Sequence, residues 1–139
     1  MPNEDAFVDA NIFLDIARKR DGWSSSAAVL AKIKKRSGFV SALTVAIVYF
    51  IKLRSMPMRR ARQETQELVH GLRVAPLTQE IVEAAFVTSD IEDFEDAIQF
   101  HCAKAVAKVI VTRNKRHYDS VHNEVEISTP EESLINHPD

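Results

Sequence analysis

The sequence predicts an α/β protein, a three-layer α/β/α sandwich with a mainly parallel central sheet. Short apolar runs alternate along the chain with longer segments whose apolar residues recur at helical spacing. Strands that alternate with helices pair in parallel, and the helices then cover both faces of the sheet. A chain of 139 residues, 45% hydrophobic and 27% charged, is expected to form one domain over residues 1–139, with its core at about 6–135.

The first half of the chain predicts three strands and four helices. An apolar run at 6–8 predicts a buried strand that leads directly into a helix from Asp9 to Arg20. The serines after Trp23 are expected to cap a second helix, which continues to about Arg36. The remaining elements are a strand at 39–40, a helix at 41–54 capped by its first residue, a helix at 56–71 ended by glycine, and a strand at 72–75.

The second half continues the alternation. A helix is expected at 76–87, and another begins at Asp93 and runs to about 107. The apolar run 109–111 predicts a strand, and 125–127 predicts an edge strand. A last helical turn starts at Thr129.

Composition excludes several classes of function. The chain has 3 glycines and no glycine-rich phosphate loop, and its formal net charge of −2 gives no overall attraction to nucleic acid. The single cysteine, Cys102, forms neither an intrachain disulfide nor a cysteine zinc cluster. No apolar run approaches the roughly 18 residues of a membrane span, and the N-terminal residues lack the basic segment of a secretory signal. A cytoplasmic protein without membrane contact is expected.

Polar side chains fall where predicted strands end or helices begin. Asp9 follows the first strand, Asp93 and Asp96 lie in the first turn of a helix, and Asn114 follows the strand 109–111. Ligands of open α/β sheets bind outside the carboxyl ends of the strands. Each residue alone also has an ordinary role, as a helix cap, a partner of the helix dipole or a turn residue. Together they form a set of oxygen donors of the kind that Mg²⁺ or Mn²⁺ prefers.

The same segments carry a family resemblance. An apolar strand followed by Asp-x-Asn is present at 7–11, and a Ser-x-x-Thr helix motif is present at 41–47. An Asp-Ala helix start occurs at 93–97, and a strand followed by Thr-x-Asn occurs at 111–118. In their order and spacing, over about residues 6–135, these motifs resemble the PIN domain, the fold of VapC-type toxin ribonucleases.

The resemblance implies a metal-dependent phosphodiesterase whose catalytic carboxylates are Asp9 and Asp96. The implied cofactor is Mg²⁺ or Mn²⁺, which polarises the scissile phosphate and activates water. The implied ligands are Asp9, Asp96, Asp93 and Asn114. The implied supporting residues are Asn11, Ser41, Thr44 and Thr112.

Three positions depart from the family pattern. Ile47 stands where the second motif has glutamate, Asn114 stands where the fourth motif can have an acid, and His117-Tyr118 replaces an Asp-Phe-like pair. With fewer carboxylates the ion should bind weakly. Two functions therefore stay open: a weakly active ribonuclease of a toxin–antitoxin system, or a PIN module that acts by binding RNA, an antitoxin or a second copy of itself.

The expected partners are RNA and protein. Arg113, Lys115 and Arg116 flank Asn114 and are the predicted RNA-binding residues, while the basic segments 32–36 and 52–62 are equally well explained as solvated helix faces. The resemblance implies a homodimer, with the apolar helix 44–53 as a candidate contact surface. A receiver domain is the alternative α/β interpretation. It needs an aspartate after the third strand, where residues 76–78 of this chain are Pro-Leu-Thr, and this absence argues against it.

Overall fold

The computed structural model describes residues 5–136, which form a five-stranded sheet in the order β3-β2-β1-β4-β5 with every neighbouring pair parallel. The α/β class and the parallel sheet predicted from the sequence are confirmed. The strands are β1 Ala6–Val8, β2 Gly38–Ser41, β3 Arg73–Ala75, β4 Val109–Val111 and β5 Glu126–Ser128. The predicted domain span includes residues 1–4 and 137–139, which lie outside the described residues. The expectation that the chain lacks a secretory signal concerns residues 1–4.

Helices connect the strands and cover the sheet. They are α1 Ala10–Arg18, α2 Trp23–Lys35, α3 Ala42–Lys52, α4 Met58–Val69, α5 Gln79–Val87, α6 Phe94–Val106 and α7 Pro130–Asn136, with a 3₁₀ helix at Lys115–Val121. Within residues 5–136, none of these helices has both the length and the apolar composition needed to cross a membrane.

The strands β1, β2 and β4 are buried on both faces of the sheet, whereas Arg73 and Val74 of the edge strand β3 are exposed. Phe7 and Ile110 belong to one apolar cluster, while their chain neighbours Val8 and Val111 belong to a second cluster. Successive side chains of a strand point to opposite faces, so the two clusters lie on opposite sides of the sheet. Burial of both faces explains why the strands read as continuous apolar runs in the sequence.

The strand order reverses beside the central strand β1. The chain runs outward from β1 to β2 and β3, and then returns to β4 on the other side of β1. Val8 pairs with Val111, and the backbone N–H of Asp9 donates to the carbonyl of Val111 at 3.0 Å. Asp9 and Thr112 are therefore brought together at the carboxyl ends of β1 and β4, where the open crevice of such a fold forms.

The N-terminal caps of the helices show which predicted helix starts are correct. The side chains of Ser41, Thr78 and Asp93 cap α3, α5 and α6, as the sequence predicts for these residue types. The predicted serine cap of α2 is wrong: its N-cap is Gly22, with φ of 83°, and Ser26 lies inside the helix. The Ser26 hydroxyl is buried and donates to Asp15 at 3.1 Å, a tertiary contact that local sequence does not reveal.

Candidate metal centre

Asp9 is the most deeply buried acid of the candidate site, 1% exposed, and it is the N-cap of α1. Its Oδ1 accepts from the backbone N–H of Ala10 at 2.8 Å. Its Oδ2 accepts from Thr112 Oγ1 at 2.9 Å, the Tyr118 hydroxyl at 3.1 Å and Asn11 Nδ2 at 3.3 Å. Each carboxylate oxygen has about two lone-pair positions, so three protein donors saturate Oδ2, whereas the contact with Ala10 leaves acceptor capacity on Oδ1.

Asn11 and Thr112 hold the two strand ends together. Asn11 Nδ2 donates to Thr112 Oγ1 at 3.1 Å, and Asn11 Oδ1 accepts from the backbone N–H of Arg113 at 3.0 Å. Thr112 also accepts from the backbone N–H of Asn114 at 3.0 Å. Two of the four predicted supporting residues, Asn11 and Thr112, therefore lie directly against Asp9 and order the loop after β4.

Asp96 approaches Asp9 from the first turn of α6. It is 6% exposed, and its Oδ2 lies 2.8 Å from His117 Nδ1. The Tyr118 hydroxyl, already 3.1 Å from Asp9 Oδ2, lies 3.4 Å from Asp96 Oδ1. The pair that replaces Asp-Phe in the resemblance thus contacts both remaining acids of the site.

Glu95 is the third carboxylate of the centre. Asp9, Glu95 and Asp96 each offer an oxygen, and the three oxygens lie within 4.8 Å of one another. Oxygens that share one Mg²⁺, each about 2.1 Å from the ion, lie at most roughly 4 Å apart, so a small side-chain movement closes the group. Three carboxylate oxygens are the donors that Mg²⁺ and Mn²⁺ prefer, and the residues present fit a divalent ion.

Asp93 and Asn114, the other two ligands expected from the sequence, lie differently. Asp93 caps α6 by accepting from the backbone N–H of Asp96 at 3.1 Å, and it is outside the group of three acids. Asn114 is exposed and precedes the 3₁₀ helix. Glu95 was not predicted from the sequence, because the helical spacing pairs Asp93 with Asp96, although Glu95 also belongs to the first turn of α6.

The three acids of the centre ionise less readily than free carboxyl groups. Burial raises the pKa of Asp9 above its ordinary value, and the charge of Asp96 adds to the effect. Burial also raises the pKa of Asp96 and of Glu95, with further contributions from neighbouring acids. Because each pKa is higher in the folded protein, ionisation costs stability, and the cost disappears as the pH falls through the folded-state pKa. A bound cation would remove the same cost at neutral pH.

Ser41 and Thr44 support the site from a greater distance. Both are buried, their hydroxyls lie 3.1 Å apart, and Gln99 Nε2 of α6 donates to Thr44 Oγ1 at 2.8 Å. This contact connects α3 to the helix that carries Asp96. Sequence analysis missed Gln99, which was hidden in an apolar helical pattern. Ile47 lies one turn further along α3, half-buried, where the resemblance places a glutamate.

Arg113 uses its side chain inside the protein. Its guanidinium donates to Asp15 Oδ2 at 2.9 Å, Glu131 Oε2 at 2.7 Å, Ser26 Oγ at 3.0 Å and the Gly22 carbonyl at 2.6 Å. These contacts join the loop after β4 to α1, α2 and α7. The Arg113 side chain therefore stabilises the packing of these elements, and its guanidinium has little remaining capacity to bind phosphate.

The other two predicted RNA-binding residues are exposed. Lys115 Nζ pairs with Glu132 Oε2 at 3.0 Å on the surface, a contact of the kind that contributes little to stability. Arg116 lines an open cleft of about 550 Å³ in front of Asp96. The lining residues of this cleft are Asp90, Glu92, Asp93, Asp96, Arg116 and His117. Four acids face one arginine there, so a phosphate backbone would be repelled unless a cation is present.

Comparison with known families gives one match. The family described as PIN domain matches residues 5–116. No curated protein matches the chain.

Solved structures resemble the whole fold. VapBC2 from Rickettsia felis, bound to a DNA fragment from its promoter, has a TM-score of 0.69 at 12% identity over 90% of this chain and 98% of the other. A toxin–antitoxin complex from Klebsiella pneumoniae has 0.66 at 18% identity, covering 90% and 97%. VapC20 from Mycobacterium tuberculosis, a Sarcin-Ricin loop cleaving toxin, has 0.64 at 16% identity, covering 84% and 95%. At these identities the likeness establishes the fold.

Proposed function

The chain belongs to the PIN domain family, and on that basis we propose that it is a divalent-metal-dependent ribonuclease of a toxin–antitoxin system, with an incomplete acidic site. The observation that carries the proposal is the group of three carboxylates, Asp9, Glu95 and Asp96, at the carboxyl ends of β1 and β4. The site's position at the point where the strand order reverses supports a ligand-binding role.

The proposed metal ligands are Asp9, Asp96 and Glu95. Asp93, the N-cap of α6, and Asn114, which precedes the 3₁₀ helix, are kept as further proposed ligands. A divalent ion held there would polarise the scissile phosphate and activate water. Mn²⁺ should bind better than Mg²⁺, because affinity for oxygen and nitrogen sites rises along the transition series while Mg²⁺ keeps much of its water. The chain's own contribution is to hold Asp9 immobile through its four donors and to present Asp96 at the cleft.

Charge indicates where the phosphate groups of a substrate would bind. The cleft in front of Asp96 is acidic, so we expect its lining arginine, Arg116, to hold phosphate groups, together with the exposed Lys115 that precedes Arg116 in the chain. RNA is proposed as the substrate class from family membership.

The experiment is a titration of the purified protein with Mn²⁺. Calorimetry measures binding, and cleavage of a labelled RNA is measured at the same Mn²⁺ concentrations. Weak saturable binding is expected, with cleavage that follows site occupancy and stops when a chelator is added. Cleavage that persists in excess chelator, or no binding at millimolar Mn²⁺, would refute the proposed function.

Restoring the missing glutamate is expected to strengthen metal binding. Ile47→Glu adds a fourth carboxylate on α3, one turn after Thr44, at the position where the family motif has its glutamate. Divalent affinity should rise by about tenfold, because ligand charge is the main determinant of affinity at oxygen sites. Calorimetric Mn²⁺ titration measures the effect.

The matched control is Ala46→Glu, which adds the same charge at the neighbouring, exposed position of α3. It should leave the affinity within about twofold, since a surface charge outside the site is screened. An equal gain in both variants would mean that Ile47 does not face the metal centre.

The RNA-binding surface should be recognisable by its salt dependence. Replacing Lys115 and Arg116 together by alanine removes two phosphate contacts, and the slope of log affinity against log salt should fall by about 1.4 for single-stranded RNA. Filter binding in Ca²⁺, which limits cleavage, over a series of salt concentrations measures the slope. The control pair Arg59→Ala and Arg60→Ala, on α4, should leave it unchanged; the reverse result would place the RNA on α4.

A second function, binding without catalysis, is favoured by two observations. Protein donors fill the acceptor positions of Asp9 Oδ2, and aromatic side chains are exposed on the surface, among them Phe50 on α3 and the stacked pair Phe86 and Phe94. In this alternative the chain binds RNA, an antitoxin or a second copy of itself, with α3 as a contact surface. RNA binding without Mn²⁺-dependent cleavage would favour it.

A further inference from the structure

Tyr118 is inaccessible to solvent, yet its hydroxyl lies between two carboxylates of the metal centre. The hydroxyl oxygen is 3.1 Å from Asp9 Oδ2 and 3.4 Å from Asp96 Oδ1. A phenol carries one O–H proton, so the Tyr118 hydroxyl offers one donor to two acceptors.

Three of the four donors of Asp9 converge on Oδ2, so a divalent ion that binds this oxygen must displace one of them. Thr112 donates at 2.9 Å from the end of β4. Asn11 makes the longest of these contacts, 3.3 Å, but it is tied into the same loop through its contacts with Thr112 and Arg113. By contrast, both contacts of the Tyr118 hydroxyl are with acids of the centre, at 3.1 Å and 3.4 Å.

The second acid is occupied in a similar way. One oxygen of Asp96 faces His117 Nδ1 at 2.8 Å and the other faces the Tyr118 hydroxyl. His117 lies at the exposed side of Asp96 and is outside the group of three carboxylates. Tyr118 is consequently the residue that touches both Asp9 and Asp96 from the buried side of the site.

We propose that the Tyr118 hydroxyl takes the place of the divalent ion between Asp9 Oδ2 and Asp96 Oδ1 in the metal-free protein, and that an ion must displace this hydroxyl in order to bridge these two oxygens. Tyr118 is then a positioning residue that stabilises the empty site and lowers its metal affinity. The inference rests on the proposed function, because it requires that the site accepts a metal ion.

The test is Tyr118→Phe, which removes one oxygen and keeps the ring that fills the core. Mn²⁺ should bind about tenfold more tightly, the equivalent of one hydrogen bond to a charged group, while the metal-free variant should melt at a lower temperature than the wild type. A residue with only a packing role would give weaker or unchanged Mn²⁺ binding, and that result would overturn the inference. Tyr49→Phe, on α3, is the control and should change neither quantity.

A second measurement does not depend on how Tyr118→Phe folds. The chain has 2 tyrosines, so the Tyr49→Phe protein contains Tyr118 alone. Its near-ultraviolet tyrosine absorption should change as Mn²⁺ is added, with the same midpoint as the calorimetric titration. Metal binding without a change in this spectrum would overturn the inference and leave the proposed metal site intact. No Mn²⁺ binding by any of the proteins would overturn both.

Discussion

Asp9→Asn is expected to abolish Mn²⁺-dependent RNA cleavage and to weaken Mn²⁺ binding by about a hundredfold or more. Loss of a residue that only supports a ligand already costs about 10- to 100-fold in affinity, and Asp9 is proposed to be a ligand itself. The substitution removes one of three negative charges and keeps the shape of the side chain. The amide cannot accept at both positions of the carboxylate, but it also removes the cost of ionising a buried acid. These two effects oppose each other, so the free energy of unfolding should change little. Calorimetry, labelled RNA and denaturant unfolding measure the three quantities.

The matched control for this variant is Asp90→Asn. Asp90 lines the same cleft, is exposed, and lies outside the group of three carboxylates. It should retain Mn²⁺ affinity within about threefold, because its charge is screened by solvent. Equal losses in the two variants would show that general negative charge, and not a ligand set around Asp9, holds the ion.

Arg113→Ala should produce the largest loss of stability, about 3 kcal/mol in the free energy of unfolding. The change leaves the Asp15 side chain, 6% exposed, without the cation 2.9 Å away, and an uncompensated buried charge is strongly destabilising. It also removes the contacts that join the loop after β4 to Glu131 of α7. The guanidinium is 22% exposed, so the lower end of the usual range is expected. Urea denaturation measures the change.

Arg116→Ala supplies the comparison, because Arg116 is an exposed arginine three residues further on. It should alter the free energy of unfolding by less than about 0.5 kcal/mol, as is usual for surface positions. Adding Asp15→Asn to Arg113→Ala should recover part of the lost stability by removing the buried charge. If the double variant is less stable than Arg113→Ala alone, the loss does not come from Asp15.

The fold could be predicted from sequence because its signals are local. Apolar runs without alternation indicate strands buried on both faces, and Ser41, Thr78 and Asp93 carry the cap chemistry that begins α3, α5 and α6. The N-terminus of α2 was predicted incorrectly because Gly22 adopts a left-handed conformation while Ser26 serves a tertiary contact. The 3₁₀ helix at Lys115–Val121 was missed because it lacks a helical apolar pattern.

The sequence predicts only those site residues that lie at the end of a strand or in the first turn of a helix. Asp9 was found because it follows an apolar run, and Asp96 because it begins a helix. Glu95 and Tyr118 were missed as members of the centre, since their contacts depend on how α6 and the 3₁₀ helix pack against β1. The role of Arg113 was not predictable for the same reason: its partners come from α1, α2 and α7.

Anomalous diffraction from a crystal soaked in Mn²⁺ tests the metal centre most directly. The expected result is one strong peak about 2.2 Å from oxygens of both Asp9 and Asp96, with Glu95 turned toward it and the Tyr118 hydroxyl no longer within hydrogen-bond distance of both acids. A crystal in which Mn²⁺ occupies only surface acids, with the contacts of Tyr118 to Asp9 and Asp96 intact, would contradict the assignment of this site to a divalent ion.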